Sequence, residues 1–182
     1  MAKICISEKT VSRQLLIENG LIELMQQTKY EEITVAELCR HLNLPRRSFY
    51  RYFRNMDDVL DSLMNHTFQK FASSDSVLNV RKLERDFTFW LNQKPLLQAL
   101  SNSGLNNKIA EYTLRYVDED MLRKSLAASD LNMDISREVN LFVVTGLSAL
   151  VVAWYEDGFQ KTPEQMANIA HRMLSIPILA NK

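Results

Sequence analysis

Residues Thr34 to Leu60 read TVAELCRHLNLPRRSFYRYFRNMDDVL, and the punctuation of this stretch decides the fold. Thr34 followed three residues on by Glu37 is a capping-box pattern. The threonine hydroxyl can accept from the Glu37 N–H while the glutamate carboxylate reaches back to the Thr34 N–H. A short helix is expected from there to about Leu42. Asn43 and Leu44 break it; asparagine tolerates the left-handed conformation, so Asn43 is read as a turn residue rather than a contact. Pro45 suits the first position of a new helix, where its missing N–H is not needed. This second short helix is expected to reach about Tyr52. Asn55 then caps a longer helix with Asp57 and Asp58 in its first turn, where carboxylates suit the positive helix end. Two short helices joined by about three residues make a helix-turn-helix. In such a unit the N-terminal residues of the second helix enter the major groove of DNA.

Charge supports that reading only locally. The 182-residue chain carries 22 basic and 22 acidic residues, so its net charge says nothing about a nucleic-acid partner. From Leu38 to Met56, however, stand five arginines (Arg40, Arg46, Arg47, Arg51 and Arg54) and no Asp or Glu. Arginine binds guanine O6 and N7 bidentately and also pairs with phosphates. Arg46, Arg47 and Ser48 fall in the first turn of the expected recognition helix. Tyr50 and Tyr52 offer hydroxyls for phosphate contacts, which fix register. Taken alone, such an arginine run is more often a solvated face. Phe49 and Phe53, four apart, are expected in the core, as is Cys39 beside Leu38 and Leu42, where burial dulls a thiol.

Working outward, a first helix is expected from a cap at Ser7 to about Gln27, with Val11, Leu15, Ile22 and Met25 along one face. Gly20 inside it marks either a close helix crossing or a tolerated weak spot. The helix capped by Asn55 carries Val59, Leu60, Leu63 and Met64 and is expected to reach Phe71. Ser73 to Ser76 reads as a polar junction. Helices follow at roughly 79–93, 95–103, 105–127, 135–157 and 163–176, with Pro95 and Pro163 as starts and Gly104 and Gly158 as stops. An apolar content of 46% allows a real core, and only four Gly and four Pro favour few long helices over a many-turned β fold.

Several function classes drop out. Cys5 and Cys39 sit in unrelated contexts, and His41, His66 and His171 show no metal spacing, so no metal, disulfide scaffold or cofactor is expected. No phosphate-binding loop or catalytic signature is present, so the chain is not read as an enzyme. The N-terminus lacks a secretory apolar region. Val139 to Tyr155 is apolar but interrupted by Asn140, Thr145 and Ser148, short of the roughly 20 residues of a membrane span. A cytoplasmic protein without membrane contact is expected.

Taken together, Thr34 to Cys39, Leu44 to Phe53 and Asp57 to Leu60 resemble the N-terminal signature of the TetR/AcrR family of transcription regulators, over about residues 10–62. The resemblance implies an all-α protein of about nine helices. A three-helix head (residues 1–55) would bind DNA, and residues 56–182, beginning with a linking helix, would form a dimerisation and regulatory domain. It implies a homodimer reading a palindromic double-stranded operator, usually as a repressor, modulated by a small-molecule or protein effector. The family's base-reading positions fall on Arg46, Arg47, Ser48 and Tyr50. Its phosphate-contacting positions fall on Thr34, Tyr52 and the start of the fourth helix at Asn55, and Arg51 and Arg54 complete the expected DNA-facing set. Asn43 replaces the family's usual turn glycine. Met56 replaces its common lysine and cannot neutralise a phosphate. That contact is therefore missing or passes to Arg54 or to backbone N–H groups of the fourth helix. A rival reading, a head that binds protein instead of DNA, draws only on Met56.

The helix near 135–157 is apolar on nearly all sides and must be covered all round. A partner subunit would cover what the body leaves open. The expected interface is Val139, Val143, Leu147, Leu150, Val151 and Trp154 with Met166, Ile169, Ala170 and Met173 of the last helix. These two helices resemble the pair that builds the family's dimeric four-helix bundle, and Gly146 to Met173 is similar to a subgroup containing dihydroxyacetone-kinase operon regulators. Core packing without dimerisation is the alternative. An effector pocket is sought among Phe87, Trp90, Tyr112, Tyr116 and Met121, a stripe that a plain core explains as well.

Overall fold

The capping and turn residues fold as their local chemistry dictates. The computed structural model describes residues 8–72, 79–117 and 137–175, and among them it is all-helical, with nine α-helices and no strand. After α1 (Glu8–Met25) comes a 3-10 turn at Tyr30–Glu32. Thr34 caps α2 (Val35–His41): its Oγ1 accepts from the Glu37 N–H at 3.2 Å, and Glu37 Oε2 accepts from the Thr34 N–H at 2.8 Å. Asn43 turns the chain at φ 48°, in the left-handed region. Pro45 stands just before α3 (Arg46–Phe49) with an extended ψ of 137°, one residue outside the helix instead of first within it. The same helix stops three residues earlier than expected, because the Tyr52 and Phe53 N–H groups both return to the Phe49 carbonyl. Asn55 Oδ1 accepts from the Asp58 N–H at 2.8 Å and opens α4 (Met56–Ala72).

Beyond it lie α5 (Val80–Asn92), α6 (Lys94–Asn102), α7 (Asn107–Tyr116), α8 (Arg137–Glu156) and α9 (Pro163–Leu174). Gly104 and Gly158, at φ 66° and 69°, end α6 and α8 as expected. Ser7, the Ser73–Ser76 stretch and Met121 lie outside the described residues. The chain divides into two compact units. One runs to Thr67 and adds Gln98–Leu105; the other comprises Phe68–Leu97 and the chain from Asn106 on.

The first unit is built on Ile17, Leu21, Met25, Leu38, Phe49, Val59 and Met64, all fully buried. The buried stripe of α1 is therefore Ile17, Leu21 and Met25, not Val11, Leu15, Ile22 and Met25; Val11 is exposed. A carboxylate interrupts the stripe. Glu18 is 1% exposed, and its oxygens accept from Ser62 Oγ at 2.6 Å and meet His66 Nδ1 at 2.9 and 3.0 Å. Gly20 is a close crossing: a Cβ there would meet Leu42 carbons at 2.7–2.9 Å. The segment from α6 is hydrogen-bonded into the same unit, with Asn102 Nδ2 donating to the Met25 and Gln26 carbonyls and the Tyr30 N–H donating to Ser103 Oγ.

In the second unit α9 lies along α5, and α7 packs on α8. Phe68 gathers Phe71, Trp90, Tyr112 and Tyr116 around it. Phe87 belongs elsewhere, edge-on to Trp154, which also meets Phe159 and donates its Nε1–H to the Lys161 carbonyl. By length and composition α8 can cross a membrane, with 20 residues and a mean hydropathy of 1.5. The sequence reading had judged it too short. A single such helix is equally what a core or interface helix presents.

Candidate nucleic-acid interface

The arginine window keeps all five guanidinium groups at the surface. Arg40, Arg46, Arg47, Arg51 and Arg54 are all exposed, while Phe49 and Phe53 between them are buried. Alternation on so short a helix follows from periodicity: Phe49 turns inward against α2, and residues 46, 47 and 50 turn out. Tyr50 is 58% exposed, and Tyr52 and Ser48 are half-buried. Arg46, Arg47 and Arg51 form no ion pair among the described residues. Arg54 does: its Nε and Nη2 grip the two Asp58 oxygens at 2.7 and 2.8 Å, a bidentate fork closed by the Arg54 N–H on Asp58 Oδ2. That fork holds the Asp58 carboxyl below its ordinary value.

The other acids near this surface are tied as well. Asp57 Oδ1 accepts from the Tyr30 hydroxyl. Burial, and then that carboxylate, raises the Tyr30 phenol above its usual range. Glu37 is bound by the Thr34 hydroxyl and N–H, which lower its carboxyl. The Thr34 hydroxyl is thus committed to its cap, and a phosphate contact from it would compete with Glu37. Asn55 uses Oδ1 for the α4 cap. Cys39 is buried, and burial raises its thiol against the opposing field of Arg46.

The residues sought elsewhere separate on burial. Val143, Val151, Trp154, Met166 and Ala170 are buried in their own unit's core, which corrects their assignment to a subunit interface. Val139, Leu147, Leu150 and Ile169 are half-buried, and Met173 is exposed. The sequence reading missed the outward face of α8, where Leu141 is 52% and Phe142 60% exposed, continued by Thr145, Gly146, Ala149 and Ala153. The helical phase could have separated the two faces; counting apolar residues could not. Of the pocket set, Trp90, Tyr112 and Tyr116 meet around Phe68, and Phe87 does not join them. No cluster fit for a metal exists among the described residues.

Two families match the chain. Residues 12–63 match the bacterial regulatory proteins of the tetR family, and residues 80–175, more than half the chain, match the transcriptional regulator C-terminal region. A curated relative, the HTH-type dhaKLM operon transcriptional activator DhaS of Lactococcus lactis, is 24% identical over 115 residues, 63% of this chain and 48% of that protein. The match thus spans about half the length of the curated relative. Among solved structures, the fatty acid degradation regulator FadR from Bacillus halodurans superposes with a TM-score of 0.67 at 16% identity, covering 93% of this chain and 97% of that one. A TetR-family transcriptional regulator from Haemophilus influenzae gives 0.66 at 14%, over 92% and 97%. The dihydroxyacetone kinase operon activator DhaS gives 0.62 at 16%, over 94% and 99%. At these identities the structures speak for the fold.

Proposed function

The chain belongs to the TetR family of bacterial transcriptional regulators, and from that premise we propose that it binds a palindromic operator as a homodimer, with α3 of each head in the major groove. The family consists of DNA-binding regulators, not enzymes. The observation that carries the reading is the exposed arginine face of α3, where Arg46, Arg47 and Arg51 have no acidic partner to satisfy them. Arg46, Arg47, Ser48 and Tyr50 read bases. Tyr52, Arg51 and Asn55 hold phosphates, with the Met56 and Asp57 backbone N–H groups at the start of α4 taking the contact that the absent lysine would make. Arg54 serves mainly to pin Asp58, and Thr34 to cap α2. The head of residues 1–55 works in the cytoplasm as the DNA reader, and residues 56–182 dimerise and receive an effector, either a small molecule or a protein.

The homodimer is supported by the outward face of α8. Phe142 and Leu141 stand in solvent, and the middle of that face holds Gly146, where an added Cβ would meet nothing within 4 Å. Glycine inside a helix costs about 0.5–1 kcal/mol relative to alanine, and the subunit itself does not need it there. A second copy lying close along α8 does. The protein acts as a repressor where its operator overlaps a promoter. The DhaS relative is named an activator, and the same head geometry serves that role from an upstream site.

The test is a set of titrations with DNA from upstream of its own gene, against a scrambled duplex at fixed salt. Replacing Arg46 or Arg47 by Ala should cost about 1–3 kcal/mol on the operator for at least one of the two, and relax preference at one base pair. Tyr52→Phe should weaken both DNAs alike, because phosphate contacts position without specifying. Equal losses on both duplexes for both arginine variants would overturn the assignment of α3.

A further inference from the structure

Asn140 lies one turn into α8 and is 7% exposed, yet its Oδ1 accepts no hydrogen bond. Buried polar groups in folded proteins are satisfied in the great majority of cases, and an orphan acceptor lowers stability. Leucine, close to asparagine in shape, would occupy the same space without that cost. Asn140 is not in a polar setting that would excuse it. One turn on, Val143 and Val144 share its face and are buried. The packed helix α7 contributes buried Ile109 and Tyr112.

We propose that Asn140 is the polar anchor of an effector site within the second unit. Its occupant is a small neutral molecule that joins an apolar body to a hydroxyl or N–H donor. This rests on the reading of residues 56–182 as the effector-receiving part. Each element of the ligand class follows from the surroundings. An acceptor without a donor selects a donor. Aliphatic and aromatic walls select an apolar body. No charged side chain is buried beside the amide, so an ionised ligand would leave its charge uncompensated, and a neutral one is required.

The experiment uses the full-length protein and two phenyl probes. In the absence of any ligand, Asn140→Leu should melt about 2–6 °C above wild type, since it removes an unsatisfied group. Its dimer mass and operator titration should be unchanged. A lower melting temperature would show that Asn140 already bonds within the fold, and a changed mass would show that the second copy satisfies it; either overturns the proposal. Asn140→Val carries the same comparison should leucine not fit. Phenol at millimolar concentration should then raise the wild-type melting temperature by about 1–2 °C through preferential binding to the folded state, and leave Asn140→Leu unmoved. Anisole, which has the same ring but no donor, should not distinguish the two proteins. Phenol shifting both proteins alike, or neither, overturns the ligand class. The operator titration keeps the readings apart: retained DNA binding with any of these failures sinks only the effector site, whereas absent DNA binding sinks the regulator.

Discussion

Around α3 the helices are seven and four residues long, and bonds between near neighbours in sequence hold them. α8 is twenty residues long and is held by what packs against it. In the head, Thr34 answers Glu37, Asn55 answers Asp58, and Arg54 answers Asp58, each partner within four residues. In α8 almost every position is apolar, and the helix has no polar code of its own to say which side is core. A helix that must place a reading face to within a fraction of a turn is set by local bonds. A helix that must bury one side and offer the other is set by its neighbours.

The sharpest way to break this comparison is to place a charge on each side of α8. Val143→Asp puts an unpaired carboxylate in the core of the second unit and should destabilise it by about 3–5 kcal/mol. Phe142→Asp, one residue away, meets solvent in the subunit and should leave its fold intact while dissociating the dimer. Sedimentation at micromolar concentration should give twice 21.1 kDa for wild type and a single folded subunit for Phe142→Asp. If the wild type is already monomeric there, or if both variants unfold alike, the division of α8 into two faces is wrong.

A smaller effect tests the exception in the head, where a long-range bond replaces local ones. Glu18→Ala strips Ser62 and His66 of their acceptor across 44 and 48 residues of chain. It should lower unfolding free energy by about 2–3 kcal/mol in denaturant titrations. Replacing all three residues by apolar ones of similar size should recover part of that loss, because no group is then left unsatisfied. A Glu18→Ala protein within half of that range of wild type would show that the carboxylate is not holding α1 to α4.

The smallest effect concerns acid. Asp58 has its folded value depressed by the Arg54 fork, so the pair's contribution is complete above the ordinary carboxylate range. It is lost as pH falls through the lower, folded value. Melting temperature should therefore decline on acidification below about pH 4, and Asp58→Asn should flatten that limb while leaving the neutral-pH value little changed. An identical acid limb in the variant would show that the exposed pair contributes nothing.

The same contrast explains what could be read in advance. The caps at Thr34 and Asn55, the left-handed turn at Asn43, the stops at Gly104 and Gly158 and the buried pair Phe49 and Phe53 were legible, because each depends on residues a few positions apart. The face of α1 was misjudged, because a glutamate in the middle of a stripe reads as solvent-facing until Ser62 and His66 arrive from α4. Trp154 was assigned outward for a related reason. Its indole is large enough to anchor an interface, but Phe87, Phe159 and the Lys161 carbonyl claim it.

By itself, then, the sequence determined an all-helical chain with a helix-turn-helix head and an arginine face on its second short helix. Caps, turns and charge runs act through bonds and fields that reach only a turn or two. Tertiary structure alone decided that Glu18 is buried, that Gly20 admits Leu42, that α6 returns to the first unit, and which half of α8 is core. Those outcomes depend on side chains brought together from distant parts of the chain, and an apolar residue carries no mark of which neighbour will cover it.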